Sequence, residues 1–235
     1  AGANFALHYR AIYVDRDFLL KDDEFRFYTA LVLSASGLLT LLLWRDLNTG
    51  FFDSFRLAIF HVVTIMTSTG FAIADFNLWS ESSKMVILLV MFIGGCAGST
   101  GGGIKVVRIL ILLRHSRTEL FKALHPRAIK SVKFNNKAVP DEIISSIISF
   151  VVIYLLIFIS SALILSVLGM DIITSITASI ATLGNIGPGL GVVGPMGSFD
   201  PIPPLGKLIL IANMWIGRLE IYTVIVLFTP EFWNK

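Results

Sequence analysis

GGCAGSTGGGIK, Gly94 to Lys105, follows the apolar run MVILLVMFI with no loop signal between them, and apolar character resumes directly in VVRILILL. Six of the ten residues from Gly94 to Gly103 are glycine. A helix interior loses about 1 kcal/mol for each glycine relative to alanine. The stretch therefore predicts an unwound segment inside a run that otherwise reads as a membrane-spanning helix. Three consecutive glycines argue against close small-residue helix packing of the Gly-xxx-Gly kind. GSTGGG also has the look of a phosphate-binding loop, but the required Gly-Lys-Ser/Thr ending is absent.

The surrounding composition sets the solvent. The chain has 235 residues, 55% hydrophobic and 15% charged, with mean hydropathy +0.79; a soluble domain carries roughly 25% charged residues. Phe27–Trp44 and Ile143–Met170 contain no charged residue. The shorter of these would be about 27 Å long as a helix, near the thickness of a hydrocarbon core. The sequence reads as an integral membrane protein. A single cysteine, Cys96, excludes an internal disulfide, and His8, His61, His115 and His125 have no ligand-like spacing. The opening AGANFALHY reads as the end of an earlier membrane helix, which makes the chain a fragment by expectation. Nine of the 19 Lys and Arg residues fall between Lys105 and Lys137, where the single acid is Glu119. A positive-inside loop explains this better than nucleic-acid binding, and it places residues 105–140 in the cytoplasm.

The apolar segments repeat in the order long, short, long. Phe27–Trp44, Phe51–Met66 and Lys84–Leu113 form one set; Ile143–Met170, Ile172–Leu183 and Lys207–Phe228 form the other. KMVILLVMFIGG (Lys84–Gly95) aligns without a gap on KLILIANMWIGR (Lys207–Arg218), with Lys84/Lys207, Met91/Met214, Ile93/Ile216 and Gly94/Gly217 identical. Asp53 and Asp171 lie near the starts of the short helices, which run into the glycine-bearing turns TSTGF and TLGNIGPG. A duplicated unit accounts for order and spacing together. With 105–140 inside, both units have the same orientation, unlike the inverted repeats of many secondary transporters.

A short helix that dips in from outside points its carbonyl end toward the membrane centre. Non-helical backbone at that depth is tolerated where it is buried in protein or lines a water-filled cavity. Carbonyls that replace a hydration shell are the chemistry of a cation filter. The alternative is a pair of hairpins that merely pack.

TSTGF, GGCAGSTGGGIK, GNIGPGLG and NMWIGRLE together resemble the second half of proteins of the TrkH/KtrB/HKT superfamily of potassium transporters. The resemblance covers essentially the whole chain, as the end of a second unit followed by units three and four. It implies an all-α integral membrane protein with two parallel helix–pore-loop–helix repeats, half of a four-repeat, potassium-channel-like pore. The expected organisation is a linker at 1–26, repeats at 27–113 and 141–235, and a basic cytoplasmic segment at 114–140. The implied filter, coordinating potassium through backbone, is Ser68, Thr69 and Gly70 with Asn185, Ile186 and Gly187. Asn185 and Ile186 depart from the family's Ser/Thr type, which should alter rigidity more than chemistry. The glycine stretch is implied to be an intramembrane gate beneath the filter, through Gly94, Gly95, Gly98, Gly101, Gly102 and Gly103.

The same resemblance implies potassium as the transported ion with no organic cofactor. Its implied partners are an N-terminal half carrying repeats 1 and 2, a second copy in a homodimer, membrane lipid, and a cytoplasmic nucleotide-binding subunit of the TrkA type. It implies a bacterial inner-membrane location with the C-terminus cytoplasmic. Arg218 aligns with Gly95; an intramembrane arginine is costly and functional by default, and the resemblance puts it in the pore as a barrier or a latch. Glu220 is a possible partner, although residues two apart on a helix do not face each other. Lys105 reads as a candidate for snorkelling to the cytoplasmic interface. Two other classes remain: a sodium-permeable or ion-coupled relative, and an intramembrane protease built on Ser99, Cys96 and His61.

Overall fold

Side-chain caps start three of the main helices, Asp23–Leu47, Glu81–Met91 and Ile172–Leu183. A computed structural model describes residues 2–13, 17–47, 50–126, 128, 130–219, 221–227 and 230–233. After the short helices α1 (Phe5–Tyr13) and α2 (Asp17–Lys21), the Asp22 carboxylate accepts from Phe25 N at 2.8 Å and starts α3 (Asp23–Leu47). α4 (Phe51–Met66) follows, then α5 (Glu81–Met91), whose first turn is capped by the Ser80 hydroxyl. α6 (Val106–Leu124) leads to a small hairpin, β1 (Lys133–Phe134) and β2 (Lys137–Ala138). α7 (Asp141–Val167), α8 (Ile172–Leu183), α9 (Pro204–Arg218), α10 (Ile221–Leu227) and α11 (Pro230–Trp233) complete the order. Among the described residues the architecture is all-α apart from that hairpin and an isolated bridge between Ile93 and Ile104.

α3 and α7 are long and apolar enough to cross a membrane. At 1.5 Å per residue they measure about 37 and 40 Å. Both begin ahead of the apolar limits expected from sequence, because acids that favour the positive end of the helix dipole occupy their first turns. These are Asp23 and Glu24 in α3 and Asp141 and Glu142 in α7. Their outward faces carry exposed Leu33 and Leu41 on α3 and Val152, Leu156 and Leu163 on α7, the surface a lipid solvent favours. The inward faces meet the short helices. Leu39 and Leu43 of α3 close on Ala58, Val62 and Ile65 of α4, all fully or almost fully buried.

The short helices occupy the residues expected, and the third and sixth apolar segments are interrupted, as their sequence leads one to expect. Lys84–Leu113 divides into α5 and α6, separated by residues 92–105. Lys207–Phe228 divides after Arg218, with Leu219 ending α9 and α10 beginning at Ile221. Glu220 and Phe228 lie outside the described residues.

The hairpin is an addition that the expected basic linker did not contain. Asn135 and Asn136 adopt φ of 47° and 63°, which the mirror-image two-residue turn demands and which asparagine tolerates. Asn135 then docks on the start of α3: its amide oxygen accepts from Asp23 N at 2.9 Å, and its Nδ2 donates to Asp22 at 2.9 Å. Arg114 of α6 donates to both Asp23 Oδ2 (2.8 Å) and Lys133 O (2.7 Å), so the hairpin, α3 and α6 are fastened at one corner.

Candidate functional site

The two short helices end in the same way. In the first, Ser68 N donates to Ile65 O at 3.0 Å and Thr69 N to Thr64 O at 2.9 Å. In the second, Asn185 N donates to Thr182 O at 3.0 Å and Ile186 N to Ala181 O at 2.8 Å. These nested bonds define the Schellman ending of a helix, in which the residue after the cap turns left-handed. Ser68 and Asn185 do so with φ of 53° and 52°, and two residues later Gly70 and Gly187 are left-handed again at 76° and 111°. Glycine or asparagine suits such a position and serine does not, so Ser68 is held there by its surroundings. Its hydroxyl donates to Gly184 O at 3.2 Å and accepts from Gly102 N at 2.9 Å.

The turns face each other. A Cβ on Gly70 would collide with the carbonyl oxygen of Ile186, so the absence of a side chain lets the second turn aim that oxygen across the gap. Ile186 is buried in the core and Thr69 is exposed. The isoleucine therefore anchors its turn by packing, where the first turn uses hydroxyl contacts among Thr64, Thr67 and Thr69. Asn185 adds a bond from Nδ2 to Met214 O on α9 at 3.2 Å.

The Ser and Thr residues of α8 have a role that composition alone did not disclose. Thr177 Oγ1 accepts from Leu190 N at 2.9 Å, and Thr174 Oγ1 from Val192 N at 3.1 Å. These hydroxyls satisfy the backbone of the extended chain climbing away from the second turn. Beyond it Asn77 joins the two sets, donating to Gly191 O at 2.8 Å and accepting from Gly191 N at 2.9 Å.

The glycine stretch forms a loop clasped at its base. Gly94 N donates to Ile104 O at 2.9 Å and Ile104 N to Phe92 O at 3.3 Å, and Ile93 and Ile104 form a parallel bridge. A parallel clasp means that the chain leaves in the direction in which it entered, so α6 resumes the course of α5 after a full excursion. The six glycines divide between two locations. Gly101 and Gly102 lie against the ends of the short helices: a Cβ on Gly102 would enter the carbonyl oxygen of Gly184, and one on Gly101 would sit 3.4 Å from Met66 O. Gly103, at φ 68°, turns the chain back toward Gly94. Gly95 and Gly98 lie at the other end, beside Gly2 and Asn4. Cys96 N donates to Gly2 O at 2.8 Å.

Two cations hold the loop's carbonyls. Arg218 Nη1 donates to Thr100 O at 2.9 Å. Lys105 does not reach away to the interface; its Nζ folds back to Gly101 O and to Ser99 O. The physical reason is local supply, since a glycine-rich loop leaves carbonyls without helical partners and a nearby ammonium satisfies them. With Arg108, whose guanidinium lies 3.8 Å over the Phe150 ring, these cations line a cavity of about 360 Å³ beneath the loop. A second cavity, about 540 Å³, adjoins the turns and is lined by Ser68, Thr69, Asn185, Ile186 and Gly187 with residues of α9.

Sequence reasoning did not single out Glu24. It is 5% exposed, and its Oε1 accepts from Ala97 N at 2.6 Å and Val107 N at 3.2 Å. The residues weighed as a proteolytic set are engaged separately. Ser99 Oγ donates to Cys96 O, while His61 bonds Leu57 O and is enclosed by Phe76 and Trp79. Among the described residues, no group of His, Cys, Asp and Glu is arranged to hold a metal ion.

Outside the membrane helices, Asp171 caps α8. Hydrogen bonds from Thr174, with its backbone N–H at 3.0 Å, hold this carboxyl below the usual carboxylate range. Its counterpart Asp53 makes no cap and lies 3.5 Å from Arg56 in an exposed pair.

Known proteins resemble this chain in sequence and overall fold. The profile of the TrkH family, described as cation transport protein, matches residues 19–235. The Trk system potassium uptake protein TrkH of Salmonella typhimurium is 39% identical over 238 residues, covering 100% of this chain and 49% of that protein. Trk system potassium uptake protein TrkI of Halomonas elongata is 35% identical over 233 residues, covering 98% and 47%. The crystal structure of the potassium transporter TrkH from Vibrio parahaemolyticus superposes with a TM-score of 0.90 at 38% identity, over 98% of this chain and 50% of that one. The chain spans about half the length of the curated relatives it matches.

Proposed function

The chain belongs to the TrkH family of cation transport proteins, and from that premise we propose that it forms half of a potassium uptake pore. The units are residues 27–113 and 141–235, joined by the basic segment 114–140 on the cytoplasmic side of a bacterial inner membrane. Backbone carbonyls of Ser68, Thr69 and Gly70, and of Asn185, Ile186 and Gly187, contribute two of the filter's strands. The glycine loop closes the path beneath them, and Arg218 holds the loop and adds positive charge to the passage. Two further units, a second copy of the protein, lipid and a nucleotide-binding regulatory subunit of the TrkA type complete the assembly.

The observation that carries this reading is the matched pair of Schellman endings with left-handed glycines, turned so that one strand's carbonyl lies against the other's glycine. Paired turns of this kind offer a cation fixed oxygens in place of water. The potassium uptake named for its relatives fits the same chemistry.

Gly70→Ser in the complete protein, reconstituted in vesicles and assayed by rubidium uptake with sodium as competitor, tests the reading. A side chain at Gly70 must displace the Ile186 carbonyl. A loss of 1–2 kcal/mol in differential binding lowers discrimination about five- to thirtyfold. Unchanged selectivity at normal expression would remove these turns from the filter.

A further inference from the structure

Glu24 is a buried acid in the first turn of a membrane helix. One of its two carboxylate oxygens, Oε1, accepts from two backbone N–H groups, Ala97 within the glycine loop and Val107 in the first turn of α6. α6 starts at Lys105 without a side-chain cap of its own. The Glu24 carboxylate therefore supplies that cap from another helix, at the positive end of the α6 dipole, where an anion is favoured. One side chain thus ties the loop to the helix that follows it and to α3. The α3 end is itself fixed, because the neighbouring Asp22 and Asp23 are fastened to Asn135 of the hairpin and to Arg114.

We propose that Glu24 is the positioning residue of the glycine loop: by bonding Ala97 and Val107 together it holds the loop under the two turns, and its release lets the loop move. The functional consequence rests on the reading of that loop as the gate; the structural consequence does not. Arg218 and Lys105 grip carbonyls at the loop's inner end, Thr100 and Gly101. Glu24 grips N–H groups at the loop's other end and in the helix that follows it, Ala97 and Val107. The loop is therefore held at two separate places by groups of opposite charge.

Cys96 makes the proposal measurable. It is the chain's single cysteine, is 1% exposed, and immediately precedes Ala97. In the complete protein in membranes, reaction of Cys96 with a small methanethiosulfonate reagent, followed on its own peptide by mass spectrometry, reads how often the loop opens. Glu24→Asp, which keeps the negative charge near the thiol, separates opening from a change in thiol reactivity. Hydrogen bonds to a charged group are strong enough that removing both raises a local opening equilibrium at least about tenfold. Glu24→Ala is expected to speed labelling by that factor. Glu24→Gln keeps an acceptor oxygen in place but loses the charge, so its labelling falls between wild type and alanine. Glu24→Asp is one methylene short of bridging both groups and labels faster than Gln. Should the alanine variant not accumulate, the order wild type, Gln, Asp carries the test.

Rubidium flux without stimulation, measured on the same vesicles, separates the two layers of the argument. Faster labelling with raised flux supports both the positioning role and the gate. Faster labelling with unchanged flux keeps Glu24 as the positioning residue and removes the gate reading. Wild-type labelling in all folded variants overturns the proposal. A merely structural role would lower the melting temperature of the variants while leaving their labelling rates below that temperature at the wild-type value, and it overturns the proposal equally.

Discussion

The set built on α3, α4, α5 and α6 and the set built on α7, α8, α9 and α10 agree at the turn and part below it. At the turn, Ser-Thr-Gly and Asn-Ile-Gly give the same nested hydrogen bonds and the same left-handed positions. Below it, the first set spends residues 92–105 on an excursion between two helices, whereas the second breaks α9 from α10 around Leu219. The aligned pair Gly94 and Gly217 shows how one backbone need serves two ends. A Cβ on Gly94 would enter the carbonyl of Gly102 in its own loop; one on Gly217 would enter the carbonyl of Leu183 at the end of α8. On the proposed reading, the first set supplies the obstruction and the second supplies Arg218 to fix it.

The largest effect should come from forcing the shared space. Gly102→Ala pushes a methyl group into the Gly184 carbonyl, and both partners are backbone, so neither can yield cheaply. The loop must withdraw from the turns. Unstimulated rubidium flux is expected to rise tenfold or more, reflecting about 1.4 kcal/mol or more of lost closure. A Gly102→Ala protein that reaches the membrane and keeps wild-type basal flux would show that the close approach to α8 does not matter for closure.

Next in size is a contrast between the turns themselves. Gly70→Ser meets the Ile186 carbonyl, while a side chain at Gly187 meets no atom within 4 Å and suffers only its left-handed φ of 111°. Gly187→Ser should therefore lose several times less potassium-over-sodium discrimination than Gly70→Ser in the same competition assay. Equal losses would mean that backbone strain, and not the facing carbonyl, dominates both turns.

How far the sequence foretold this depends on the range of the interaction. The bounds of α4 and α8 were legible because each is an apolar run closed by a glycine-bearing turn, a local pattern. The unwinding near Gly94–Gly103 was legible for the same reason. The parallel clasp at Ile93 and Ile104, the fold-back of Lys105 and the grip of Glu24 were not. Glu24 reaches partners 73 and 83 residues away through backbone N–H groups, which every residue type offers, so no residue pattern marks the pairing. The hairpin was hidden in a basic segment whose charge predicts a side of the membrane and nothing of its shape. In Asn135–Asn136 the turn residues are present, but the strands are too short to show alternation.

Arg218 comes third, and it separates two ways in which the second set can act on the first. At about 6 Å and an effective dielectric near 20, a unit charge opposes a passing cation by roughly 3 kcal/mol. The bond to Thr100 O directs part of that charge into the loop, so Arg218→Ala should raise flux about tenfold. Arg218→Lys keeps the charge but loses the planar fork. Lysine conducting like wild type indicates an electrostatic barrier; lysine conducting like alanine indicates that the bond to the loop is what matters.

The smallest effect lies at the outer ends of the short helices, where the sets differ in who caps whom. Asp171 is the N-cap of α8, accepting from Thr174 N, whereas α4 is preceded by Gly50 and its Asp53 sits inside the first turn against Arg56. Replacing a capping acid by alanine costs about 1 kcal/mol; breaking an exposed pair costs roughly 0–1 kcal/mol and often nothing measurable. In thermal melts of the solubilised protein, Asp171→Ala should lower the midpoint measurably and Asp53→Ala barely. Acid sharpens the contrast. The Asp171 carboxyl is held below its ordinary range by Thr174, so its contribution is complete above the unfolded-state pKa of about 3.9 and is lost as pH falls through the lower folded value. Asn caps as well as Asp without titrating, so Asp171→Asn should match wild type near pH 7 and become the more stable of the two below about pH 4. If wild type and Asp171→Asn instead lose stability in parallel down that range, the ionised cap does not distinguish the two helices, and the asymmetry between the sets is confined to the region beneath the turns.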